Sequence, residues 1–324
     1  MSAPSTNTPA AAAAAAGAAA APKEETMLDR LNDSSRAFLR AYSQRLLDVA
    51  DGPAPFGLLS APDHESQPRL PQLLLVAKCQ TLDSLREAHA LGQVNFGENY
   101  IPELCNKALL LPKTIQWHYI GILQSNKIRH LLQSVPNLAG IQTVTSERQA
   151  QTISRVMGEL KASGVRAPGD RLRLFVQINT SGEDTKSGLD AASVDTAPAT
   201  SETDQTHPDF AVMRLIRQIQ ALDHVAFEGL MTIGSTEESY ADSGYNSDFA
   251  RLHALRERIC TTTGLHQGII GLSMGMSADF EQAIRQGSTC VRIGSAIFGG
   301  RNMEAVQQIA LQAEEFRKQQ ASSS

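Results

Sequence analysis

The apolar positions of the chain change period along its length. From Leu28 to Val49, the residues Leu31, Phe38, Leu39, Tyr42, Leu46 and Leu47 recur at spacings near three and four among charged partners. That spacing predicts one amphipathic helix, ended by Asp51-Gly52-Pro53. Beyond it, short apolar runs alternate with helical patterns. The runs are Leu73–Ala77, Val94–Phe96, Ile115–Ile120, Leu138–Val144, Leu172–Asn179, Ala226–Ile233, Gly271–Met276 and Cys290–Ile297. Helical periodicity follows them, as in Leu82–Leu91, Glu147–Ala162, Phe210–Leu222 and Ser247–Thr262. Strand and helix repeating in series predict the α/β class and a single closed (β/α)8 TIM barrel, with Leu28–Val49 as an extra N-terminal helix. A barrel of this kind takes about 250 residues, which leaves no room for a second folded domain.

The ends of the chain and one loop depart from this pattern. Residues 1–22 hold 12 alanines and no charged side chain. The expected organisation is a disordered Ala-rich tail over 1–26, the barrel domain over 27–320 and a disordered end over 321–324. The tail has neither the arginines of a mitochondrial transit peptide nor the basic start and leucine-rich middle of a secretory signal. Within the domain, Asp190–Pro208 is rich in Ser, Thr, Ala and Asp and reads as a solvated low-complexity insertion over 190–208. It and Ser235–Asn246 follow the fifth and sixth strands, so both are expected at the C-terminal face, where they could lie over a site.

Composition narrows the function classes. With 42% hydrophobic and 19% charged residues among 324, the chain can bury a large core. A formal net charge of −5 gives no general attraction to nucleic acid or anionic lipid, so neither is an expected partner. The four cysteines form no C-x-x-C pair and the eight histidines no metal-ligand spacing, which predicts a reduced, cytoplasmic protein without a structural metal. Alanine is too weakly hydrophobic for the N-terminal tract to span a membrane.

In such barrels the chemistry gathers where the strands end. The first run ends in Lys78, an amine at the mouth of an apolar barrel whose partial desolvation would favour the neutral nucleophile and a Schiff base with an aldehyde. A lysine also ends strands simply where they reach water. Gly275-Met276-Ser277 opens a predicted helix with Ser277 as N-cap, and Gly294-Ser295 follows the last strand in the same way. The loops after strands seven and eight commonly bind phosphate in this fold, so the two turns together make a candidate anion cradle. Arg292 points either into the mouth or outward to the helices, opposite to Val291 and Ile293.

These residues lie in seven blocks: Val76-Ala77-Lys78; Phe96-Gly97-Glu98-Asn99-Tyr100; Trp117 to Gly121 with Leu123 to Lys127; Gln177 to Glu183; Gly229 to Ile233; Leu272 to Phe280; and Val291 to Ser295 with Phe298-Gly299. In order and content they resemble the pyridoxal phosphate homeostasis protein family, single-domain relatives of the alanine racemase N-terminal barrel. The resemblance implies PLP fold type III and pyridoxal 5′-phosphate (PLP) as cofactor, with Lys78 forming the internal aldimine. It also implies that Ser273, Met274, Ser277, Gly294 and Ser295 hold the phosphate, that Arg292 faces the pyridine nitrogen and that Asn99 lies near the ring. Ala77 and Cys79-Gln80 depart from the family's usual flanking residues. Cys79 is expected as a buried small hydrophobe on the opposite face of the strand from Lys78.

An arginine beside the pyridine nitrogen keeps the ring a weak electron sink, because guanidinium does not readily give up its proton. Racemisation would still need a second base, and His118 and Tyr119 are the only nearby substitutes. The expected function is therefore a PLP carrier that maintains the cofactor pool, as a monomer, with PLP-dependent apoenzymes as recipients. A PLP-dependent racemase of low activity is the alternative. A phosphosugar Schiff-base aldolase would leave Arg292 unexplained, and a weaker second PLP contact at Lys127 or Lys186 stays open.

Overall fold

The computed structural model describes residues 71–183, 186–240 and 244–322. The expected tail over 1–26 and the Leu28–Val49 helix lie outside these residues. Nine strands occur in chain order: β1 (Gln72–Val76), β2 (Asn95–Glu98), β3 (Gln116–Tyr119), β4 (Leu138–Val144), β5 (Leu172–Asn179), β6 (Leu189–Asp190), β7 (Val225–Met231), β8 (Gly271–Ser273) and β9 (Cys290–Ile293). All nine pair in parallel; eight follow the order β4-β3-β2-β1-β9-β8-β7-β5, and a further β4–β5 pairing closes the ring. This is the expected eight-stranded barrel. The two-residue β6 only extends the upper end of β5, pairing Ile178 with Leu189.

Alternation along each strand divides the core in two. Outward residues such as Leu75, Phe96, Trp117, Ile141, Leu174, Leu230 and Leu272 pack under the helices in one large cluster. Leu74, Val76, Ile120 and Cys290 form a smaller cluster inside the barrel. The outer layer comprises α1 (Leu82–Ala90), α2 (Ile101–Leu110), α3 (Ile128–Ser134), α4 (Glu147–Ala162), α5 (Phe210–Gln220), the turn α6 (Thr236–Ser239), α7 (Ser247–Thr263), α8 (Phe280–Arg285), the turn α9 (Ser295–Phe298) and α10 (Met303–Ser322). Local chemistry starts several of them. Thr81 caps α1 through the Ser84 N–H, Ser146 caps α4 through that of Gln149, and Asn246 caps α7 through those of Asp248 and Phe249.

Several elements differ from expectation, most at the C-terminal ends of strands. The last two barrel strands stop at Ser273 and Ile293, short of Met276 and Ile297, because the chain turns at Gly275 (φ +94°) and coils into α9 after Gly294. Residues 321 and 322, expected to be disordered, complete α10. That helix lies on α2, where Arg317 donates to Asn106. The 190–208 segment exposes most of its side chains, but it runs down the outer layer instead of covering the mouth. Arg258 of α7 pairs with the buried Asp209 at 2.7 Å and donates to Ser193 O, and Thr262 donates to the backbone of Ala199.

Candidate functional site

Lys78 stands in a turn two residues past the end of β1, after the inward Leu74 and Val76, and Val76 pairs with Gly97 of β2. Its side chain is half-buried, and among the described residues it makes no ion pair. Burial, and after it the nearby charge of Arg301, hold the Lys78 amine below the ordinary lysine range. A lowered value enlarges the neutral, nucleophilic fraction.

Cys79, next along, is the one non-glycine among the described residues in the left-handed region, with φ +56°. It is buried, as expected, yet in a turn and not on the far face of a strand. Burial pushes its thiol up. Its N–H donates to Glu103 Oε1 at 2.7 Å, and its carbonyl accepts from the Asn302 N–H at 2.9 Å.

The two glycine turns meet. Gly275 needs its positive φ, and a Cβ there would come within 2.5 Å of the Ala283 Cβ. Its carbonyl accepts from the Arg292 N–H at 2.9 Å, which ties the turn to β9. Ser277 is not an N-cap; α8 begins later, at Phe280, with Asp279 in the cap position. The buried Asp279 carboxylate instead accepts from the Met276 N–H at 2.6 Å and from the Ser239 hydroxyl. This sets Ser277 Oγ 3.3 Å from the backbone nitrogens of both Gly294 and Ala296. Ser295 lies exposed between them. The cradle is beside Lys78: β9 pairs with β1 at Ile293 and Leu75, and a Cβ on Gly294 would lie 3.2 Å from that of Val76.

Arg292 points into the barrel and is 3% exposed. Its Nη1 donates to Ser273 Oγ at 2.8 Å and its Nη2 to the Thr232 carbonyl at 2.7 Å, while Ser273 donates to Gln142 Oε1 at 2.8 Å. Among the described residues no carboxylate pairs with this guanidinium. Two expected phosphate residues therefore stand elsewhere. Ser273 has no exposed surface and lies in this internal chain; Met274 packs its side chain in the outer core and spends its N–H on Cys290 O. The pairing of Leu74 with Arg292 sets Arg292 two positions below the end of β1 at Val76, about 7 Å along the strand axis at the usual rise.

Asn99 follows β2 at the rim, and its Oδ1 is buried without a partner. His118 faces inward, but its Nε2 lies 3.3 Å from Asn95 Oδ1, toward the lower end of β2. Burial, with a smaller push from Arg173, lowers its pKa to about 3. Tyr119 belongs to the outer core and donates to the Ile122 carbonyl, and burial followed by Glu98 pushes it up to about 12. Lys127 is exposed on the turn Ser125–Lys127. Lys186 is committed to Glu183 and to the Gly234 carbonyl, at 2.6 and 2.7 Å.

Sequence reasoning missed Gln142 and Arg301, which meet the site only through the tertiary fold. It also missed Glu103 and Lys107. Their i,i+4 spacing was the available signal, and it usually marks an exposed helical pair. No three His, Cys, Asp or Glu side chains gather as a metal site among the described residues. None of the helices described is long and apolar enough to cross a membrane.

A parallel barrel with a half-buried lysine just past its first strand and linked glycine turns after its last two defines a class. The family model of the alanine racemase N-terminal domain matches residues 70–302. The chain is 36% identical over 241 residues to the pyridoxal phosphate homeostasis protein of Schizosaccharomyces pombe, covering 74% of this chain and 89% of that one. It is 39% identical to the Homo sapiens protein of the same name, over 72% and 77% of the two chains. The solved structure of PipY from Synechococcus elongatus PCC7942 with PLP bound is 26% identical, with a TM-score of 0.53, over 79% of this chain and 99% of that one. The chain belongs to the pyridoxal phosphate homeostasis protein family.

Proposed function

We propose that this protein binds PLP covalently but exchangeably at Lys78 and serves as a carrier that maintains the cofactor pool. The observation that carries the reading is the convergence of a half-buried, nucleophilic amine with a cradle of backbone N–H groups around Ser277, Gly294 and Ala296, at the end of neighbouring strands. The residues fit the cofactor: the Gly294 and Ala296 N–H groups, which here donate to Ser277 Oγ, lie where a phosphate ester would accept them, Asn99 Oδ1 is a buried acceptor without a protein partner, and the Arg292 guanidinium is held in place to face a ring nitrogen. When bound, PLP supplies an aldehyde carbon, with which an amine condenses by forming a C–N bond and releasing the aldehyde oxygen with two amine protons as water.

A carrier role is favoured over catalysis by what surrounds Arg292. Its hydrogen bonds run to a hydroxyl and a carbonyl, and guanidinium retains its proton, so a ring nitrogen facing it stays unprotonated. The residues considered as a second base are poorly suited. His118 turns toward the barrel bottom, and Tyr119 is bonded in the outer layer.

The test is a spectroscopic titration with PLP of the intact chain and of Lys78→Ala. The intact chain gains the visible absorbance band of a Schiff base, while Lys78→Ala gains none and binds the phosphate ester weakly. Equal spectra from both would defeat the reading. Incubating the loaded protein with amino acids in deuterated water separates carrier from racemase. The carrier leaves the α-proton in place, whereas rapid exchange there would make the protein an enzyme.

A further inference from the structure

We propose that Glu103 and Lys107, in a buried cluster with Glu98, are positioning residues that clamp the two peptide groups flanking Lys78 and so aim its amine into the barrel. This inference rests on the covalent role given to Lys78 above.

The cluster lies behind the barrel wall. Glu98 follows Phe96 on the outward face of β2, and Glu103 and Lys107 sit one turn apart on the face of α2 that covers β1 and β2. Lys107 is fully buried. Its Nζ has three acceptors for three N–H bonds: Glu103 Oε1 at 2.5 Å, the Ala77 carbonyl at 2.6 Å and Glu98 Oε1 at 3.4 Å. Glu103 Oε1 also receives the Cys79 N–H at 2.7 Å. The Ala77 carbonyl belongs to the peptide before Lys78, and the Cys79 N–H to the peptide after it. One helix therefore holds both by charge-assisted bonds, the strongest kind available to a backbone group.

That grip matches a local need. Cys79 occupies a left-handed conformation that a side chain with a Cβ adopts only under constraint. Released, the chain would relax toward extended backbone, in which successive side chains swap faces and small rotations carry a long side chain far from its target. The Asn302 N–H on the Cys79 carbonyl closes the turn from the opposite side. Burial, against the opposing pull of Lys107, holds the Glu98 carboxyl well above the ordinary range. Fully buried lysine is rare unless paired, and a buried pair is often no more stable than apolar residues of the same volume. Stability alone thus gives a weak reason for this cluster, whereas control of the Lys78 backbone gives a direct one.

The experiment uses the full chain and the variant Glu103→Leu/Lys107→Met, which removes one charge of each sign and keeps the volume. Four quantities are read: the urea midpoint, affinity for pyridoxine 5′-phosphate, which has no aldehyde, the rate of borohydride-trapped PLP capture on the Lys78 peptide, and hydrogen exchange of the Cys79 amide. The expected result is a lowered midpoint in a chain that still folds, pyridoxine 5′-phosphate affinity within about twofold, capture slowed about tenfold or more, and faster exchange at Cys79. Adding Cys79→Gly, which takes a positive φ without help, recovers part of the rate. Glu103→Gln keeps shape and weakens the bond, so should the double variant not fold, it gives a smaller change in the same direction. Capture at the rate of the unaltered chain overturns the proposal, as does a parallel fall in midpoint, affinity and capture. If the unaltered chain captures no PLP at Lys78, the carrier reading fails, while Cys79 exchange still tests the clamp.

Discussion

Ser273→Ala separates two roles for one hydroxyl. In the structure Ser273 Oγ accepts from Arg292 Nη1 and donates to Gln142 Oε1, each at 2.8 Å, and has no exposed surface. Removing it deprives a buried guanidinium of one of two bonds, a loss of about 1.5–3 kcal/mol for a charged group, and a neutral amide oxygen of another worth about 1 kcal/mol. The variant is therefore expected to lose about 2–4 kcal/mol, or on the order of 10 °C in Tm for a domain of this size. Trp117, the chain's single tryptophan, is fully buried, so its fluorescence reports urea unfolding directly. Competition by inorganic phosphate for the PLP site should be unaltered, since the cradle is built from Ser277, Gly294 and Ala296. Unchanged stability with phosphate affinity lowered tenfold would refute this reasoning and return Ser273 to the phosphate.

Arg301→Gln removes a cation that depresses Lys78, so the pH of half-maximal covalent capture should move upward; a downward shift contradicts that placement. Gly121→Ala would put a Cβ 1.9 Å from the Asn99 carbonyl and force apart the loops after β2 and β3. A destabilisation of about 1–3 kcal/mol by urea is expected, and a neutral result is incompatible with this approach. His118 titrates at about 3 when folded, against about 6.5 when unfolded. Between those values the unfolded chain binds the extra proton, so stability is lost as the pH falls through 6.5 toward 3. His118→Gln should flatten that part of the stability curve, and an unaltered slope counts against a buried neutral ring.

Much of the barrel was legible because each strand is a bounded apolar run and each helix has its own period. Leu138–Val144, Leu172–Asn179 and Glu147–Ala162 have in the structure the boundaries their patterns predict. The ends of β8 and β9 were misread because glycine turns rich in small residues look apolar in sequence, while Gly275 and Gly294 act through backbone angles. Candidates stood out where a residue carries its own chemistry, as with Lys78 and Arg292. The site was obscure where function depends on which atom meets which. Period two leaves Ser273 free to face either a ligand or Arg292, and only the closed ring brings Gln142 to it. Likewise Glu103 and Lys107 read as a solvated helical pair until α2 is laid over the end of β1.

The central claim is tested most directly by mass. PLP-loaded protein is reduced with borohydride and digested, and the peptides are sequenced by mass spectrometry. The account predicts a pyridoxyl phosphate adduct on the peptide containing Lys78, at that residue, and its absence after Lys78→Ala. An unmodified Lys78 peptide with the adduct on another lysine, or with none, would contradict it.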